Sequence, residues 1–193
     1  TSASSGDNTT IKKTANPFRD VSESDWFYDY VMYAYEKGLM KGTEADLFEP
    51  ETDVTRAMFV TVLHRLEGTP RVGTVNFDDV DSDSWYAPFV KTAYFHKIVN
   101  GVSATSFGTG MNITREDMAV MAYRCMFKDT ETADESKDAF ADDSEISDYA
   151  KDAVSALFAL GVINGKGGGV FDPFGNATRA EAAKIIYTAM NIR

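Results

Sequence analysis

The four residues Thr178-Arg179-Ala180-Glu181 have relatives at Thr55-Arg56-Ala57-Met58 and Thr114-Arg115-Glu116-Asp117, and an apolar helical pattern begins directly after each. Counting back from the arginines shows one unit written three times. Phe48, Phe107 and Phe171 stand eight residues before Arg56, Arg115 and Arg179, and Gly42, Gly101 and Gly165 stand fourteen before them. Phe18-Arg19-Asp20-Val21, Phe77-Asp78-Asp79-Val80 and Phe140-Ala141-Asp142-Asp143 open the units. Trp26 and Trp85 each lie eight residues after the opening Phe, and Tyr149 is the nearest aromatic counterpart in the third unit, one residue later. The arginines are separated by 59 and then 64 residues. Each unit supplies only two helical stripes, too little to enclose a core alone, so the repeat predicts one body rather than three independent domains.

Within each unit the pattern reads helix, loop, helix. Val31, Ala34, Tyr35 and Leu39 form the first stripe, closed by Gly38 and Gly42. The polar run Asp20 to Asp25 offers acceptors to the amides of that helix start. Phe48-Glu49-Pro50 reads as a short extended piece that plugs an apolar gap, and Phe59, Val60, Leu63 and Leu66 form the second stripe. The second unit repeats this with Trp85, Phe89, Val90, Ala93 and Tyr94, then Met118, Met121, Ala122 and Cys125; Lys97 stands where the first unit has Gly38. The third has Tyr149, Ala153, Val154, Leu157, Phe158 and Leu160, with a last helix from Arg179 to about Met190. The expected organisation is a flexible linker over 1–16, repeats over 17–69, 70–128 and 139–193, and an acidic linker over 129–138. Thr1 follows no basic and apolar leader, which reads as a mature form, a fragment or an excised piece, with the linker leading from an upstream domain.

A formal net charge of −11 repels nucleic acid and anionic lipid, arguing against both as partners. No apolar run approaches the roughly 20 residues needed to span a bilayer. Cys125, the only cysteine, falls in an apolar stripe and reads as a small core residue. Asp79-x-Asp81-x-Asp83 opens like a calcium loop, but Ser84 replaces the expected Gly and Val90 the closing Glu. His64 and His96 have no helix-spaced partner for zinc. No metal or cofactor is expected. The acceptor-like triplets at Asn112 and Asn176 follow from the capping threonines and carry no weight as glycosylation sites.

Thr178 and Glu181 have the spacing of a capping box, with Thr55 and Thr114 as the matching N-caps. Met58 leaves the first box incomplete, and Asp117 completes the second less ideally. Capping does not explain the arginines, which sit at the unfavourable positive end of the helix dipole. Each guanidinium therefore meets a fixed carboxylate: either an Asp of the opening turn or an anionic ligand held together with helix-start amides. Trp26 and Trp85 are equally readable as core anchors or as faces on which a sugar stacks. Asp25, and Ser84 in the second unit, are candidates to bond sugar hydroxyls. Gly42, Gly101 and Gly165 read as left-handed turn positions that also allow a ligand close to the backbone.

These motifs in register, over residues 18 to 192, resemble the S-layer homology module, a bacterial cell-surface repeat. The resemblance implies a mainly α, pseudo-threefold, three-pronged body around a central helix bundle, a monomer with binding grooves between the prongs. It implies non-covalent anchoring to the bacterial cell wall through secondary cell-wall polysaccharide attached to peptidoglycan, often pyruvylated. The residues implicated are Arg56, Arg115, Arg179, Asp25, Trp26, Ser84, Trp85, Gly42, Gly101 and Gly165. Replacing the three arginines by alanine is then expected to abolish wall binding and leave the fold intact. A protein-protein self-assembly module is the alternative. A wall hydrolase is disfavoured, because no carboxylate pair, nucleophile with base, or metal cluster stands at persuasive spacing.

Overall fold

The computed structural model describes residues 15–68, 71–129 and 140–192. The acidic linker falls almost wholly outside these, as does the linker over 1–16 except for Ala15 and Asn16. Asn16 is already part of the first repeat: its Nδ2 donates to Val21 O at 2.6 Å and its Oδ1 accepts from Phe18 N at 2.9 Å.

Among the described residues the fold is helical. Three helices of the first type, α1 (Tyr28–Glu36), α3 (Ala87–Phe95) and α5 (Lys151–Ala159), alternate with three of the second, α2 (Arg56–Glu67), α4 (Arg115–Met126) and α6 (Arg179–Ile192). A single 3-10 turn, Asp143–Glu145, precedes α5. The apolar stripes meet in one cluster that includes Val31, Phe59, Leu63, Val90, Met118, Leu157 and Ile186. α4 touches both α2 and α6, so the second-type helices gather at the centre. The first-type helices dock across repeats: α1 packs on α6, α2 on α3, and α4 on α5. Cys125 is half-buried against the cluster, as a small core residue.

Backbone hydrogen bonds join the repeats just before the second-type helices. Val54 N donates to Ala177 O (2.9 Å), Ala177 N to Ile113 O (3.0 Å), and Ile113 N back to Val54 O (2.8 Å), a closed ring of three bonds. The side chains of Val54, Ile113 and Ala177 are buried. A second cycle runs from Arg56 N to Met111 O, Arg115 N to Gly175 O and Arg179 N to Thr52 O, each 2.9 Å. Asn112 and Asn176 donate their side-chain amides to Asp53 Oδ2 at 2.8 and 2.7 Å, tying the ring from outside.

The second-type helices are capped as their sequences require. Thr55, Thr114 and Thr178 each accept the amide three residues on, at 3.3, 3.2 and 3.3 Å. Only Glu181 returns the bond, accepting from Thr178 N at 3.0 Å. The first-type helices differ from expectation, since none has a side-chain cap. The opening-turn aspartates instead hold the distant loop that carries the buried Phe. Asp20 accepts from Phe48 N and Glu49 N, Asp79 from Phe107, Gly108 and Thr109, and Asp142 from Phe171 and Asp172, all at 2.7–3.0 Å. Burial alone would raise the Asp79 and Asp142 carboxyls, but these backbone donors override it and hold both below the usual carboxylate range.

That loop is a turn rather than the extended piece expected, because Glu49 (φ 56°), Gly108 (φ 78°) and Asp172 (φ 60°) are left-handed. The turn drives Phe48, Phe107 and Phe171 inward until they are fully buried, filling the apolar gap.

The expected left-handed role of Gly42, Gly101 and Gly165 is corrected: none has positive φ. A Cβ on Gly42 would lie 2.5 Å from Glu44 O, on Gly101 2.4 Å from Ser103 O, and on Gly165 2.6 Å from Val170 O. These glycines are required by close backbone approach. The left-handed positions come four residues earlier, at Gly38 (φ 67°), Lys97 (φ 58°) and Gly161 (φ 70°). There the amides of Leu39, Ile98 and Val162 bond back to Ala34 O, Ala93 O and Leu157 O, closing each first-type helix. A side chain in this conformation costs about 1–2 kcal/mol, partly offset by glycine's larger entropy loss on folding. Lys97→Gly is thus expected to stabilise the fold by about 0.5–1 kcal/mol, seen as a rise in Tm; an unchanged or lower Tm would mean that Lys97 makes a compensating contact.

Candidate functional site

The arginines hold adjacent repeats together. Arg56 Nε donates to Phe107 O (3.0 Å) and Nη2 to Asn100 O (3.1 Å), while Nη1 pairs with Asp117. Arg115 repeats the pattern one unit on: Nε to Phe171 O (2.7 Å), Nη2 to Asn164 O (3.2 Å), and Nη1 to Glu181. Arg179 closes the cycle onto the first repeat, with Nε to Phe48 O (2.7 Å) and Nη2 to Lys41 O (2.6 Å). Each guanidinium also lies over the ring of the same Phe, 5.1, 5.1 and 4.5 Å from its centroid.

The carboxylate partners are therefore not the opening-turn aspartates. They occupy the third position of the next second-type helix: Asp117, which also faces the Tyr149 hydroxyl, and Glu181, which also accepts from Thr178 N. Met58 fills that position in the first repeat, so among the described residues Arg179 has no carboxylate at ion-pair distance; Glu49 and Asp20 act on it from further off. Burial pulls the Arg56 and Arg179 guanidinium groups below the usual arginine range, offset for Arg56 by Asp117. The helix-start amides of Arg56, Arg115, Glu116, Arg179 and Ala180 are not available to a ligand, since all five donate to carbonyls of another repeat. The three arginines are only 5%, 6% and 8% exposed. Their replacement by alanine therefore cannot be expected to spare the fold.

Two grooves open at the edges of these clamps. The first, of about 310 Å³, is lined by Trp26 from the first repeat, Arg115 from the second, and Gly165, Lys166, Glu181 and Lys184 from the third. All three repeats contribute to it. Lys184 Nζ stands 6.0 Å from the Trp26 ring centroid. With its amide oriented to satisfy both neighbours, Asn164 donates to Ile163 O (2.9 Å) and accepts from Lys184 Nζ (3.2 Å). Burial, then the charge of Arg115, draws the Lys184 ammonium below its ordinary pKa, and Glu181 opposes this. Glu181 is the one carboxylate in the lining, and it is committed to Arg115 and Thr178 N. Of the three cations in the lining, Arg115 is paired with Glu181 and Lys166 donates to Asp172 Oδ2 (2.8 Å), so among the described residues Lys184 alone has no carboxylate at ion-pair distance.

The second groove, of about 410 Å³, places Tyr149 of the third repeat where the first groove has Trp26, with Arg56, Asn100, Gly101, Asp117 and Arg124. The Tyr149 hydroxyl lies 2.8 Å from Glu116 Oε1 and 3.0 Å from Asp117 Oδ1 and donates to one at a time. Burial, then the Glu116 hydrogen bond, holds its pKa above the usual tyrosine range. Glu116 is buried and also accepts from Ser147 N (3.0 Å) and Ser147 Oγ (2.9 Å). A hydroxylated ring is needed here because two carboxylates lie beneath it.

Trp26 and Trp85 are 54% and 56% exposed, so neither is a core anchor. Asp25 accepts Ser22 N (2.7 Å) within its own turn, and Ser84 bonds through its backbone to Asp81 and Ala87; neither lines the two grooves. Gly165 and Gly101 line one groove each, whereas Gly42 lies in an outward hollow with Phe18 and Tyr35. Lys166, Lys184, Arg124 and Glu116 were not singled out from the sequence. Lys184 looks like the solvated face of an amphipathic helix until α1 is seen to dock on α6.

Three helical repeats, each clamped to the next by an arginine, with an exposed aromatic ring in the lining of two grooves between them, define a tandem-repeat module. The S-layer homology domain model matches residues 17–58, 76–119 and 139–183, and the chain belongs to that family. It is 36% identical over 91% of its length to an amylopullulanase of Thermoanaerobacterium thermosulfurigenes and 28% identical over 91% to the S-layer protein sap of Bacillus anthracis. It is 24% identical over 92% to a cellulosome-anchoring protein of Acetivibrio thermocellus. The chain spans 9%, 21% and 40% of these relatives' lengths. The family and its S-layer relatives place the chain at the bacterial cell surface as an anchoring module. No helix among the described residues is long and apolar enough to cross a membrane.

Proposed function

We propose that this module anchors a bacterial surface protein by holding a secondary cell-wall polysaccharide, pyruvylated or otherwise acidic, in the grooves between its repeats, with the Trp26 groove as the principal site. The observation that carries this reading is Lys184, without an ion pair among the described residues, set beside a half-exposed indole in a groove whose one lining carboxylate is already paired, in a chain of net charge −11. A carboxylate-bearing sugar matches it: the ring stacks on Trp26, and the carboxylate meets Lys184, while Lys166 stays paired with Asp172 at the groove edge. Arg115 shapes the groove wall and contributes field rather than a free fork, since Phe171 O, Asn164 O and Glu181 occupy it. The three repeats act as one monomeric, pseudo-threefold body, and several grooves on one polymer lengthen its residence by effective concentration. The module itself performs no catalysis; activity belongs to whatever it anchors.

Co-sedimentation with Gram-positive walls, before and after the polymer is stripped from peptidoglycan, tests this. Binding is expected only to unstripped walls, and Trp26→Ala and Lys184→Gln should each weaken it by about tenfold. Equal binding to stripped walls would move the ligand to peptidoglycan. Failure to bind either, with concentration-dependent self-association, would establish the protein-assembly role instead.

A further inference from the structure

Asn100 and Arg124 line the Tyr149 groove on one side and, on the other, an open trough of about 890 Å³ whose walls include Tyr94, Phe95 and Lys97. Phe95 is 60% exposed and Tyr94 43%, two adjacent rings presented at the end of α3. The stretch after α2 runs against them, since a Cβ on Gly73 would lie 2.8 Å from Phe95 Cβ. The lining has two cations, Lys97 and Arg124, and no carboxylate. Lys97 holds a left-handed backbone position that Gly38 and Gly161 fill in the other repeats, so the fold itself would be better served by glycine.

We propose that this trough is an extension subsite of the Tyr149 groove, holding the next sugars of the same acidic polysaccharide. Tyr94 and Phe95 supply stacking faces, and Lys97 and Arg124 meet the carboxylates. Charge selects the occupant, because an anionic chain leaving the groove past Asn100 and Arg124 passes directly into a cationic, aromatic-walled channel. The inference rests on the polysaccharide reading of the grooves.

The test uses polysaccharide released from Gram-positive walls by peptidoglycan hydrolase and sized by gel filtration, titrated against the whole chain. Lys97→Gly and Phe95→Ser should each weaken binding of long fragments by about fivefold and leave single repeat units unaffected. Lys97→Gly is expected to raise Tm, so Tm is measured alongside, and a loss of affinity at equal or higher Tm cannot be assigned to unfolding. Wild-type affinity of both variants for long fragments would overturn the subsite and leave the groove reading standing. No binding of any fragment by the unaltered chain would overturn both. Binding of poly-glutamate that is equally lost in the variants would overturn the saccharide assignment in favour of an acidic protein.

Discussion

Arg115→Ala is expected to destabilise the fold by about 3–5 kcal/mol, read as a shift of the urea midpoint. The side chain is almost fully buried and makes three different contacts with the third repeat, to Phe171 O, Asn164 O and Glu181. Truncation leaves two carbonyls and a largely covered carboxylate without their donor, and leaving such groups unpaired costs more than the bonds were worth. Glu181 also closes the capping box on Thr178, so the start of α6 loosens with it. Arg115→Lys should recover only part of the loss, because one ammonium cannot reproduce a planar fork spread over three acceptors. Arg179→Ala should cost less than Arg115→Ala, since Met58 stands where a carboxylate would otherwise be stranded. Equal loss at the two positions would show that the ion pair contributes nothing beyond the carbonyl contacts.

The second large effect is expected at Phe107. Phe107→Ala should cost about 3–5 kcal/mol, through lost transfer energy and the cavity left behind. The ring is fully buried, lies against Phe77 with centroids 5.9 Å apart, and carries the Arg56 guanidinium on its face. Its amide is held by Asp79 and its carbonyl receives Arg56 Nε, so one residue joins the opening turn, the loop and the neighbouring repeat. Phe107→Leu retains much of the volume and should lose less, about 1–2 kcal/mol. A loss below about 1 kcal/mol for Phe107→Ala would mean that the loop relaxes into the space and is not a fixed part of the core.

These residues also show what the chain discloses before folding. The repeat, the helices and the threonine caps are local or periodic features, so counting offsets from Arg56, Arg115 and Arg179 was enough to find them. The partners of the arginines were not legible, because each lies in another repeat and only closure of the ring brings Asp117 to Arg56 and Glu181 to Arg115. The same holds for Asp20, Asp79 and Asp142, which look like caps for the next helix and instead hold a loop far along the chain. Gly101 could be seen to be special, but whether by dihedral angle or by crowding depends on where Ser103 O and Ser106 O come to lie. Lys184 was hidden for the same reason, since its position becomes meaningful only when Trp26 of the first repeat is set beside the last helix.

In the proposed reading, buried arginines build the grooves while the half-buried Lys184 and the exposed Trp26 indole read the ligand. The most direct measurement of this division is calorimetric titration of purified secondary wall polymer, native and with its ketal carboxylates removed, into the unaltered chain and into Lys184→Gln. Ketal removal is expected to weaken binding to the unaltered chain by about tenfold or more and to change binding to Lys184→Gln little, because the carboxylate and the lysine act as a pair. The same loss for both proteins would contradict that pairing, and equal affinity for both polymers would remove the carboxylate from recognition altogether.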